Sequence, residues 1–299
     1  MPTTLAVNAM GTRFELVLDG DDPHALRAVG EMALREVTEC HTRFNLFDPG
    51  SWLNTISRRA SEEAVELDEL TFELLDTCRQ VHLESMGAFD VTVAPLMDAT
   101  GLHRAGGAST ADEIQHARSR VGMRHVVLDH DNKTVRFTRP GVALDLGAVA
   151  KGFAIDLAID LLREHGVTRA LLHGGTSTAA AIGAPPTQDG WRIQVHQDGP
   201  PIELKDNALS VSAPTGRTTE SKGQTIGHVL DPRTGESAMA LPFAAAICQS
   251  ARFADAWSTA LLVLGNRPDG MPNDLQAVFP DDEAVTTNRI KPNLESVTL

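Results

Sequence analysis

Strand-period and helix-period segments follow one another along this chain without a fixed rhythm, and that irregularity most narrows the folds open to it. Phe14, Leu16 and Leu18 alternate with Arg13 and Glu15, the two-residue period of a half-buried strand over Thr12–Leu18. Asp22-Pro23 then offers an N-cap with proline at the first helical position. Leu26, Val29, Ala33, Val37 and Cys40 recur at three- and four-residue spacing, which predicts an amphipathic helix. Asp48-Pro49-Gly50 reads as a loop, and a second helix over 68–82 places Leu70, Leu74, Cys78 and Val81 on one face. The stretch from Gly87 to Thr92 reads as a helix ending in glycine and entering a strand. Thr110 and Glu113 have capping-box spacing at the start of a short helix reaching Arg120. Segments 125–128 and 134–137, joined through Asp131-Asn132, predict a hairpin. A helix over 148–164, a strand over 169–173 and the turn Gly174-Gly175 follow. Trp191, Ile193 and Val195 alternate as a further strand. A last helix, 251–264, turns Phe253, Trp257, Ala260 and Leu264 to a core. Hairpins without a regular strand-helix-strand rhythm predict an α+β domain rather than a doubly wound sheet. One domain is expected over 1–299, with its core at about 10–265 and polar, peripheral segments at 269–283 and 286–299.

Composition narrows the partners. The formal net charge is −14, which argues against a groove for nucleic acid, because such binding draws on lysines and arginines that neutralise phosphates. Cys40, Cys78 and Cys248 are widely spaced, with no CxxC, and read as buried thiols rather than metal ligands or a disulfide framework. The first eight residues carry neither a basic nor an apolar region of a secretory signal. No apolar run approaches the ~20 residues of a membrane span. The expectation is a protein of a reducing, cytoplasmic compartment, without a membrane segment.

Three short motifs carry chemistry. In the first, Asp145-Leu146-Gly147-Ala148-Val149-Ala150-Lys151-Gly152, an acid and a lysine bracket a small-residue turn into a helix. Asp145 closes the apolar run Val142-Ala143-Leu144 and is expected at a strand end. The backbone at Gly147-Ala148 is open to close approach, and a carbonyl there suits a metal. Lys151 is placed to meet a phosphate as a point charge. The segment lacks the spacing of a P-loop. The second motif is His228-Val229-Leu230-Asp231-Pro232-Arg233-Thr234-Gly235, a histidine beside a strong turn, suited to general-base work or to holding a phosphoryl group. The third, Ala254-Asp255-Ala256-Trp257-Ser258-Thr259-Ala260, puts Asp255 and Thr259 on one helix face with Ser258 beside them, off the apolar stripe. An isolated pair of this kind is more often a solvated aspartate and a threonine bonded to its own backbone. Phe89 is more simply a core residue than a stacking surface. Taken jointly, the motifs suit a magnesium-bound diphosphate.

In their order along the chain, these stretches resemble the FAD:protein FMN transferase, or ApbE-like, family. Those matching are Met10-Gly11-Thr12, Phe47-Asp48-Pro49 with Ser51 and Asn54, Gly87 through Thr92 with Pro95-Leu96, Asp145 through Asp156, Gly174-Gly175, His228 through Gly235 and Ala254 through Ala260. The resemblance implies an α+β, T-fold-like architecture of mostly antiparallel sheets with packed helices. It implies magnesium-dependent transfer of FMN from FAD to a threonine of a target flavoprotein, with release of AMP. Carried over by motif, Asp255, Ser258, Thr259 and the backbone of Ala148 hold the metal. Met10, Phe47, Ala88, Phe89, Asp90, Asp145, Lys151 and Ser212 contact FAD, and His228 is the catalytic histidine near the reacting phosphate. The sequence departs from the family in three places. Phe47 stands where a tyrosine is usual, Thr176 where an acid often follows Gly-Gly, and Val211-Ser212-Ala213-Pro214 where a Thr-Ser-Gly segment is usual. Pro214 removes a backbone donor and Ala213 removes conformational freedom. Many members are exported, whereas this chain shows no export signal. The alternative function is an FAD-binding or flavin-storage protein, or a pyrophosphatase splitting FAD, with little or no transfer.

Overall fold

The computed structural model describes residues 2–103, 110–195, 200–214, 218–221, 224–280 and 282; the polar tail expected at 286–299 lies outside the described residues. In chain order the elements are β1 (Thr3–Ala9), β2 (Thr12–Leu18), α1 (Pro23–Phe44), α2 (Trp52–Arg59), β3 (Val65–Glu66), α3 (Glu69–Glu84), α4 (Ala94–Ala99), α5 (Ala111–Arg118), β4 (Val126–Asp129) and β5 (Thr134–Phe137). There follow α6 (Ala150–Glu164), β6 (Ala170–Gly174), β7 (Thr178–Ile182), β8 (Trp191–Ile193), β9 (Ile202–Leu204), β10 (Ala208–Ser212), β11 (Thr218–Ser221), β12 (Gln224–Gly227), β13 (Ala244–Cys248), α7 (Ala251–Leu264) and β14 (Gln276–Val278). Seven strands make one sheet in the order β1-β2-β6-β7-β10-β13-β14, antiparallel at every pairing. The fold is α+β.

Both faces of the central strands are covered, so their residues alternate between two cores. Leu16, Leu18, Ala170, Leu172, Ala180, Ile182, Ala208, Ala244 and Ala246 join the larger core, where α1, α6 and α7 pack on the sheet and on each other. Leu171, Ala179, Ala181, Leu209, Ala245 and Ile247 face the other way, onto Trp191, Ile193 and Leu204 of the small β8–β9 ribbon. Burial on both sides is why β6, β7 and β13 carry no polar alternation.

Local signals set the helix starts. The Asp22 side chain accepts from the backbone of His24 and Ala25, ahead of Pro23 in the first turn of α1. Thr110 and Glu113 form a full capping box on α5. The carboxylate of Asp156, within α6, accepts from Ser250 Oγ at 2.6 Å, Ala251 N at 2.6 Å and Arg252 N at 3.1 Å. It thereby satisfies the open N–H groups of α7 from a neighbouring helix. Burial raises the Asp156 pKa, while these hydrogen bonds and the charge of Arg252 oppose the rise. Gly152 lies where the two helices touch. A Cβ there would fall inside the van der Waals shell of the Ala251 carbonyl, so only glycine permits this approach.

Several sequence expectations are corrected. The loop at Asp48-Pro49-Gly50 leads straight into α2, capped by Ser51. Residues 90–93 form a turn into α4 rather than a strand, and 142–146, which end at the Asp145 turn, belong to no strand. Asp145 is held there by its N–H, which donates to Val91 O at 2.7 Å. Leu70 is 43% exposed, and α3 instead buries Thr71, Phe72, Leu74, Leu75, Cys78 and Val81. Segment 269–283 contributes β14 to the main sheet, with Leu275, Ala277 and Val278 buried. All three cysteines are buried and free. Among the described residues no helix is long and apolar enough to cross a membrane.

Candidate active site

Strand register brings distant polar residues to one end of the main sheet. Gly174 pairs with Thr178, Thr178 with Ser210, and Ser212 with Ala244. Phe14 pairs with Gly174, so the β1–β2 turn at Met10-Gly11 lies at the same end. α7 crosses this end with Asp255, Ser258 and Thr259 turned to the sheet. Asp255 is only 3% exposed, so α7 is polar on a face that is nonetheless buried. This differs from the one-sided stripe expected from sequence.

The Asp255 carboxylate is met from three elements. Oδ1 accepts from Thr178 Oγ1 at 3.1 Å and Ser210 Oγ at 3.0 Å, and Oδ2 accepts from Gly152 N at 3.1 Å. Lys151 Nζ approaches the two oxygens at 3.4 and 3.5 Å, and the carbonyl of Gly147 at 3.4 Å. Beside it, Ser212 Oγ lies 2.8 Å from Ser258 Oγ and 3.1 Å from Thr259 Oγ1, and Ser258 Oγ lies 3.3 Å from Ser210 Oγ. Ser258 and Thr259 also donate to the Asp255 carbonyl at 2.9 and 3.4 Å. The donor set is a carboxylate, clustered hydroxyls and backbone carbonyls, with Ala148 in the turn that carries Gly147. Hard oxygens of this kind fit magnesium or another hard divalent ion.

The other end of the Asp145–Lys151 segment makes a second cluster. Asp145 Oδ1 accepts from Gly147 N at 2.8 Å, which shapes the turn, and Oδ2 lies 3.0 Å from His103 Nε2. The other nitrogen of His103 lies 3.2 Å from Asp98 Oδ1. Burial pulls the His103 pKa down, but its hydrogen bond and charge interaction with Asp145, reinforced by Asp98, outweigh that and raise it. An imidazole with a carboxylate at each nitrogen is satisfied at both only when doubly protonated. Phe47, 61% exposed, meets this ring edge-on, with centroids 5.8 Å apart and planes at 86°. His103 is absent from the sequence motifs. Its signal exists only in space, since Asp145 is 42 residues away.

The remaining candidates are placed differently. Met10 has φ 50° in the β1–β2 turn, and its N–H donates to His41 Nδ1 at 3.2 Å. Ala88 and Phe89 are buried. Asp90, also buried, accepts from Thr92 N at 2.8 Å, Thr92 Oγ1 at 2.5 Å and Met123 N at 3.1 Å, and lies 3.2 Å from His82 Nδ1. The side chains at 88–90 therefore support the loop behind Asp145 and are not part of the Asp255 cluster. His228 follows β12 and is half-buried. Gly227 before it packs on the carbonyl of Pro214, which a Cβ would meet at 2.7 Å. That contact sets the His228 segment beside the chain leaving Ser212. None of the hydrogen bonds described around Asp255 involves His228.

Comparison with known proteins places the chain in a family. The model of the ApbE family matches residues 10–272. A protein of Chlamydia trachomatis serovar D named FAD:protein FMN transferase is 27% identical over 233 residues, 76% of this chain and 73% of that protein. The crystal structure of the ApbE protein of Thermotoga maritima superposes with a TM-score of 0.80 at 28% identity, covering 89% of this chain and 87% of that one. The apo flavinyl transferase ApbE of Pseudomonas stutzeri does so with a TM-score of 0.77 at 26% identity, covering 88% and 85%. The order of motifs, the fold and the family match converge: the chain belongs to the ApbE family and is a transferase.

Proposed function

We propose that this protein is a magnesium-dependent FAD:protein FMN transferase that moves FMN from FAD to a threonine hydroxyl of a target flavoprotein and releases AMP. The observation that carries this reading is the buried Asp255 carboxylate with Lys151, Ser212, Ser258 and Thr259 around it at one end of the sheet. So much polar chemistry, assembled from three distant segments around a buried carboxylate, has no packing purpose. In the reaction the threonine Oγ bonds to the FMN phosphorus, the bond from that phosphorus to the AMP oxygen breaks, and the threonine proton passes to a base. Asp255, Ser258, Thr259 and the Ala148 carbonyl hold the metal, and Lys151 meets the diphosphate. His228 takes the proton, while Phe47 and Asp145 face the flavin nucleotide. A bound magnesium ion supplies neutralisation of charge at the diphosphate. The test is to incubate the protein with FAD, magnesium and a threonine-bearing acceptor domain and read intact masses. The reading expects the acceptor to gain FMN less one water, with one AMP formed per transfer. AMP without a modified acceptor would favour FAD hydrolysis, and neither product would favour flavin storage.

A further inference from the structure

Lys151 faces Asp255, the one charged ligand of the proposed metal site. Its ammonium lies among three oxygens, Asp255 Oδ1 at 3.4 Å, Asp255 Oδ2 at 3.5 Å and Gly147 O at 3.4 Å. Each distance is long beside the ~2.7–2.9 Å of a good charge-assisted hydrogen bond, so the ammonium donates loosely to all three acceptors and tightly to none. The carboxylate it faces is buried, and a buried carboxylate stripped of its counter-charge is strongly unfavourable. The same carboxylate and the same turn are the hard-oxygen donors suited to a divalent ion. A small dication that bonds oxygen at ~2.0–2.6 Å would satisfy them more closely.

We infer that Lys151 is a resident counter-ion that exchanges with the divalent metal. Without flavin, the ammonium neutralises Asp255 and competes with the metal. The diphosphate draws the ammonium off the carboxylate, and the metal takes its place. The inference rests on the reading above, that the site takes a divalent ion and the diphosphate of FAD. It makes loading cooperative: flavin tightens metal binding, and by thermodynamic reciprocity metal tightens flavin binding by the same factor.

The test compares wild type with Lys151→Met, Lys151→Gln and Lys151→Arg at pH 8, measuring manganese binding by calorimetry and melting temperature, each with and without FAD. In flavin-free protein, the Met and Gln variants should bind manganese about tenfold more tightly than wild type, within the range usual for coupled sites. They should melt lower than wild type without metal and gain more from its addition. Lys151→Arg, which keeps the charge, should stay near wild type. Equal or weaker flavin-free metal binding by both neutral variants overturns the exchange. If the neutral variants are recovered folded only with metal present, the exchange stands; if metal recovers neither, Lys151 is a structural cation and the inference fails. The functional reading fails separately, if wild type with FAD and metal neither binds flavin nor transfers it, and the flavin-free comparison is still decisive for Lys151.

Discussion

Asp255 gathers donors from three directions, and this sets what its replacement does. Asp255→Asn removes the charge and places an amide among Thr178, Ser210, Gly152 and Lys151, all of which donate. Metal-dependent turnover should vanish. Because the side chain is buried, stability should also drop by about 1–3 kcal/mol, the cost of mismatched buried polar groups, so the substitution is not the silent one that a surface aspartate would allow. Retention of near-wild-type magnesium-stimulated FAD cleavage in Asp255→Asn would refute the metal assignment. His228→Ala separates three roles. As general base, His228 is worth roughly 10²–10⁴ in rate, so single-turnover transfer should slow by that factor while FAD affinity changes only a few-fold. A parallel fall of rate and affinity would make it a phosphate ligand, and a lower melting temperature with unchanged specific activity would make it a turn residue.

Element boundaries were legible where the signal is local and hidden where it is tertiary. The period of Phe14, Leu16 and Leu18 gave β2 its observed bounds, and Asp22-Pro23 and Thr110/Glu113 placed the starts of α1 and α5. By contrast, β7 and β13 are mostly alanine, a residue depleted in strands. They are strands because both faces are buried, and no period in the sequence announces that. Asp255, Ser258 and Thr259 were visible as one helix face. Thr178 and Ser210, which complete their surroundings, and His103, which partners Asp145, lie on separate segments and carry no shared spacing. The α6–α7 contact makes the point quantitatively. Gly152→Ala forces a methyl against the Ala251 backbone, an obstacle that cannot rotate away. The cost should fall in the upper part of the ~1–3 kcal/mol typical of overpacking. Separation of the two helices should also loosen the Gly152 N–H to Asp255 bond, so calorimetry should find metal binding weakened together with the melting temperature. A variant that lost stability but kept metal affinity would show that the contact serves packing alone.

Across the whole molecule, pH acts through histidines that tie separate segments together. His103 joins α4 to the Asp145 turn, and His82 joins α3 to Asp90; both pKa values are raised from 6.5, because their carboxylate partners outweigh burial. A group whose pKa is raised by folding adds stability that is complete below its unfolded value and disappears as pH climbs through its folded value. The contribution of His103 should therefore be present at pH 6 and fade above 6.5. Urea denaturation should find wild type more stable than His103→Gln at pH 6, with the gap narrowing by pH 9; a gap constant with pH would show that the imidazole acts without its charge. The polar cluster also has a bearing on how the chain is made. Its contacts join residues 104, 77 and 45 positions apart in sequence, and non-local contacts of this kind close late in folding. A nascent chain that has emerged through β13 holds six of the seven strands of the main sheet but lacks the carboxylate on which the site depends. Until α7 leaves the ribosome, the growing protein has most of its scaffold without the carboxylate of the proposed metal site, so a truncation before Ala251 should yield at most a flavin-inert sheet.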